Sequence, residues 1–118
     1  MSLFDNTEFT LSAAIRGAGL RQTALSNNIA NANTPGYQRQ DVDFESALQS
    51  AMADGQNPDS LQFSVQTDAS APMQPDGNSV DVDTESAKLA ENGLDYESLI
   101  TVAKARLDIL QSAMGGGA

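Results

Sequence analysis

The sequence predicts a mainly α protein in which two long terminal helices flank an acidic, loop-rich middle holding a short helix and a short strand-like run. Three observations carry this. Apolar residues recur at heptad spacing in the first third of the chain and again in the last. Hydrophobic residues make up 40% but aromatics only 5%, so the apolar surface is mostly Ala and Leu, which suits packed helices better than a β-sandwich. Charge is segregated as well: residues 40–87 hold ten acids and no Lys or Arg, between two nearly neutral ends.

The first periodic stretch is Leu11, Ile15, Ala18, Gln22, Leu25, Ile29 and Ala32, spaced 4-3-4-3-4-3 with one polar member. Thr10 is the candidate N-cap, and Glu8 lies ahead of it where a helix dipole favours negative charge. Pro35 and Gly36 stop the helix, giving a span of about 10–33, roughly 36 Å at 1.5 Å per residue. The second stretch is Leu89, Gly93, Tyr96, Ile100, Ala103, Leu107, Leu110 and Met114, with a further stripe of Leu99, Val102, Ile109 and Ala113 beside it. Asp83 is its candidate N-cap, and the glycines from Gly115 end it at about 114. Asn92-Gly93 ordinarily signals a turn, but the periodicity keeps phase across it, so one long helix is expected.

Between them, Phe44, Ala47, Leu48, Ala51 and Met52 form a short amphipathic helix at about 43–53, and Leu61, Phe63 and Val65 alternate like a strand. The organisation is therefore a flexible N-terminus (1–9), a first helix and turn (10–40), an acidic variable middle (41–83), a second helix (84–114) and a flexible tail (115–118). Two stripes on the second helix imply more than one neighbour. The solvated middle offers thin cover for them, which points to packing against other chains.

Composition also excludes function classes. The 118 residues contain no Cys, His or Trp, which removes the usual zinc sites, thiol nucleophiles, disulfides and His-based acid–base schemes. A net charge of −10 argues against nucleic acid and against direct lipid binding, since both select for Lys and Arg. Arg16, Arg21 and Arg39 are too few for a basic patch. No apolar run approaches the roughly 18 residues of a membrane span, and the N-terminus lacks the basic and apolar regions of a cleaved signal. The oxygen-rich stretch from Asp76 to Glu85 lacks the ligand order of a calcium loop and reads as a turn before an acid-rich helix start. The pairs Asp41/Asp43 and Asp81/Asp83 read as solvated charge, because nothing apolar surrounds them to raise a pKa. No catalytic, cofactor-binding, metal or small-molecule site is expected.

One segment stands apart. From Ser26 the chain reads Ser26-Asn27-Asn28-Ile29-Ala30-Asn31-Ala32-Asn33-Thr34-Pro35-Gly36-Tyr37, with four Asn in the seven residues 27–33. Such residues are poor helix material and invite side-chain to backbone hydrogen bonds. They fit either an unusual helix end or an interaction surface rich in amides.

This segment resembles the signature of bacterial flagellar rod and hook proteins, roughly S-x-N-I-A-N-x-x-T-P-G-Y, carried here by Ser26, Asn28, Ile29, Ala30, Asn31, Thr34, Pro35, Gly36 and Tyr37. Asp41-Val42-Asp43-Phe44, the run Gly77 to Glu85, Ala87-Lys88-Leu89-Ala90-Glu91-Asn92, Leu94 and Tyr96 are similar to the proximal-rod members of that family. The resemblance implies a structural, non-enzymatic subunit exported from the cytoplasm without a cleaved signal peptide, through the flagellar type III channel, to the periplasmic rod of the basal body. It implies terminal helices paired as an antiparallel coiled coil, with the first stripe of the second helix on the N-terminal helix and the second stripe on neighbouring subunits. It further implies polymerisation into a torque-transmitting shaft with copies of itself and other rod proteins, above a FliE-type adaptor and the membrane-ring and export-gate base. The alternative is a soluble cytoplasmic adaptor or export chaperone acting as a closed dimer.

Overall fold

A computed structural model describes residues 6–116. Its element order is α1 (Asn6–Ala30), β1 (Gln40–Asp41), α2 (Phe44–Ala53), a 3-10 turn (Pro58–Ser60), β2 (Gln66–Thr67) and α3 (Val82–Gly116). The shape is a flat rod with principal extents of 66 × 28 × 14 Å. Among the described residues, no helix is long and apolar enough to cross a membrane.

α1 and α3 run antiparallel. Glu8 meets Arg106 at one end at 2.5 Å, Asn92 donates to the Ala18 carbonyl midway, and Asn28 donates to Glu85 at the other end. Small residues allow the approach: a Cβ on Gly19 would lie 3.4 Å from the Tyr96 ring, and one on Gly93 3.7 Å from the Gln22 amide. α3 passes Asn92-Gly93 without a break, as the periodicity predicts. Asn92 is buried there, and donates to both the Ala18 carbonyl and the Gln22 side chain. The one polar member of the N-terminal stripe thus has a polar partner across the interface.

The helix starts differ from expectation. α1 begins at Asn6, which puts Thr10 inside the helix and not at its N-cap. At α3 the capping residue is Asp81, whose carboxylate accepts from the Asp83 N–H and the Thr84 hydroxyl. α1 gives way to turns after Ala30, three residues earlier than expected, and α3 runs into the glycines as far as Gly116.

The middle corrects the larger expectation. It is not a solvated loop but the cover of α1: Val42, Phe44, Leu48, Ala51 and Pro58 are buried. α2 starts where predicted, with the Asp43 carboxylate accepting from the Ser46 N–H. Phe44 sits so close over α1 that a Cβ on Gly17 would lie 2.4 Å from its ring, so only glycine fits at that position. Phe63 meets Phe44 edge-on at 6.1 Å, and Arg16 spans the Phe63 ring to reach the Leu61 carbonyl at 2.9 Å. Leu61, Phe63 and Val65 form no strand. The ladder lies just beyond them, pairing Gln40 with Thr67 and Asp41 with Gln66 in antiparallel register.

Candidate functional site

At the closed end of the hairpin, the Asn-rich segment turns inward. Asn28 is fully buried and uses its whole amide: it donates to the Gln40 carbonyl at 2.8 Å and to Glu85 at 3.1 Å, and accepts from the Gln40 N–H and the Tyr37 hydroxyl. Asn31 donates to the Asn27 carbonyl, and accepts from the Thr34 hydroxyl. Asn78, 44 residues beyond Thr34, donates to the Asn31 and Thr34 carbonyls at 3.0 and 2.8 Å. It thereby satisfies backbone acceptors that the end of α1 leaves open.

Gly36 completes the turn with φ +77°, and its N–H donates to the Asp76 carbonyl. Gly77, at φ +84°, packs against it so closely that a Cβ would lie 3.4 Å from the Gly36 Cα. Both glycines are needed for their backbone angle. Ser26, Asn27, Ala30, Asn33, Thr34, Pro35 and Gly36 remain exposed on the outer surface, whereas Ile29, Ala32 and Tyr37 are half-buried.

An ion network ties this knot to the middle. Arg39 is buried and contacts three carboxylates: Glu85, itself 1% exposed, Asp68 at 2.6 Å and Asp41 at 3.1 Å. Asp41 passes the chain on to Arg21 at 3.1 Å, and Arg21 reaches Glu45 at 2.6 Å and the Val42 carbonyl. Asp41 is therefore not the solvated charge the sequence suggests. Burial alone would depress Arg39, but Glu85, Asp68 and Asp41 outweigh it and raise its pKa.

The Ser70 hydroxyl and Arg39 hold Asp68 down at about 2. Burial opposes ionisation of Asp41, yet the Val42 N–H, Arg39 and Arg21 together lower its pKa. Burial and the Glu85 charge push the Tyr37 phenol up, which keeps it a donor to Asn28. Among the described residues, every buried side-chain nitrogen or oxygen has a partner. The arrangement is a cross-brace, not a reactive centre.

The predicted stripes are placed unevenly along the hairpin. Ala18 and Leu25 are buried, Gln22 meets Asn92, and Leu11 and Ile15 line an open groove with Ala103, Leu107 and Leu110. Leu89, Gly93, Tyr96 and Ile100 are half-buried, whereas Met114 is exposed. In the second stripe Leu99 packs on the Phe44 cluster; Val102, Ile109 and Ala113 face solvent.

Residues 11–38, the part of α1 and the turn that supply half of this knot, match the family model described as flagella basal body rod protein. The similarity extends well beyond that stretch. A flagellar basal body rod protein FlgB of Bacillus subtilis (strain 168) is 31% identical over 99% of this chain and 99% of its own length. This chain belongs to the FlgB family of flagellar basal body rod proteins.

The FlgB proteins of Salmonella typhimurium (strain LT2) and Escherichia coli (strain K12) are 37% and 35% identical, covering 82% and 78% of this chain and 84% and 83% of their own lengths. The family signature is thus an internal joint as much as a surface: its Asn28 and Tyr37 bind each other and, through Glu85, the start of α3. Arg39 and Glu85, the charged centre of that joint, stand outside the matched residues 11–38. Sequence reasoning passes over both, although an Arg one residue before an all-acidic stretch is a signal that could have marked the first.

Proposed function

We propose that this chain is a structural subunit of the proximal rod, polymerising through its terminal helices into the helical shaft that transmits torque for motility. The terminal helices pair as an antiparallel coiled coil, and the stripes left over on α3 pack against copies of the chain and other rod proteins. The subunit leaves the cytoplasm without a cleaved signal, sits in the periplasmic part of the basal body, and contacts a FliE-type adaptor and the membrane-ring and export-gate base below. Torque transmission of this kind needs many side-chain contacts in parallel and no chemistry.

The observation that carries the reading is full-length similarity to a rod protein, at 99% of both chains. The apolar surface of α3 supports it: Leu94, Leu107, Ile109 and Met114 are each about half exposed or more, more than a lone hairpin of this size gains by leaving uncovered. A polar knot that fixes the hairpin at one end gives such contacts a stiff base. Placing a charge in the seam tests the reading: Ile100→Asp abolishes swimming while leaving synthesis intact, scored by motility agar and immunoblot. Normal swimming with that variant would contradict the seam assignment.

A further inference from the structure

Beside α1, α2 and α3 leave a groove of about 470 Å³, lined by Ala14, by Phe44, Leu48 and Met52 of α2, and by Leu99 and Val102 of α3. Its floor is covered but its lips are not, with Met52 58% and Val102 47% exposed. The charged residues that line it, Glu45 and Asp95, are both acidic. The far end of α3 has the complementary character. Because Glu8, near the start of α1, already pairs with Arg106, the last turns of α3 project past that contact by roughly 15 Å at 1.5 Å per residue. They present Ile109 and Met114 at 67% and 64% exposed. From residue 99 onward the chain carries Lys104 and Arg106 against Asp108, a positive balance in a protein of net charge −10.

We propose that the acidic-lipped groove between α2 and α3 receives the projecting C-terminal turns of α3 from a second copy of the chain. Apolar side chains enter an apolar groove, and a positively balanced segment meets an acidic rim, so shape and charge favour the same occupant. Groove and occupant lie on different parts of the molecule, so the contact is head-to-tail and leaves a free groove and a free helix end after each addition. A contact of this kind builds open helical assemblies. The proposal rests on the rod reading above and adds which two surfaces meet.

The chain has no cysteine, so cross-linking can be made specific. Cells co-express two full-length variants, Met52→Cys and Ile109→Cys, both at exposed positions, and isolated basal bodies are treated with a short bismaleimide. The expected result is a band at twice the chain mass when both variants are present and none from either alone. Val102→Cys in place of Met52→Cys gives the same pattern, and adding Asp95→Lys to the groove variant lowers the yield. Absence of the mixed band from basal bodies of swimming cells that contain both variants would overturn the proposal and leave the rod reading standing. A dimer band from Met52→Cys alone would set two grooves face to face and overturn it, as would a band of another mass that puts a different protein in the groove. Recovery of the chain only outside basal bodies would end the rod reading, and this proposal with it.

Discussion

Arg39 is held by three carboxylates from three segments of the chain, and Glu85 is the most buried of them. Removing one partner of a buried ion pair leaves the other charge uncompensated, so Glu85→Ala costs about 3–5 kcal/mol, measured as a shift in the urea midpoint of the purified protein. Asn28→Ala strands the Gln40 N–H and carbonyl and costs about 1–3 kcal/mol. Acid acts on the same network. Asp68 and Asp41 have folded pKa values below their ordinary ones, so the stability they contribute is present above about pH 4. It is lost as pH falls through the folded values, down to about 2 for Asp68. A melting temperature that falls between pH 4 and pH 2 in the native chain, and falls less in Asp68→Asn, is the expected outcome. Little of this is legible in sequence, because a buried Asn reads as surface until its partner, 57 residues away at Glu85, is known.

At the scale of elements, periodicity sufficed where contacts are regular. Both long helices were legible from heptad spacing, and α2 from five apolar residues and its Asp43 cap. What periodicity could not give is where α2 and the loops dock, since that depends on the absence of a side chain at Gly17. Ala13, Gly17, Leu20 and Ala24 do repeat at 4-3-4 beside the main seam, a small-residue face that carries the signal in retrospect. Gly17→Ala must displace Phe44, whose ring and Cβ lie 2.4–2.8 Å from the added methyl, at a cost of about 1–3 kcal/mol despite the better helix propensity of Ala. Gly115→Ala meets nothing within 4 Å and is neutral, or stabilising by at most about 1 kcal/mol. Thermal denaturation of the two variants side by side checks both.

The whole molecule is a stiff, flat hairpin, 66 Å in its long dimension, closed by polar bonds at one end and apolar and open at the other. Its family was legible from one dense signature, whereas the brace beneath that signature came only with the fold. A shaft subunit of this design stays monomeric until it meets the growing assembly. Sedimentation of the purified chain at micromolar concentration accordingly gives a monomer, and a stable closed dimer would favour a cytoplasmic adaptor. The central claim, that the chain is a built-in part of the rod, is tested most directly by mass spectrometry of detergent-purified basal bodies from the source bacterium. The account predicts this chain in a few copies per particle. Its absence from intact basal bodies, with the protein abundant in the cytosol, would contradict it.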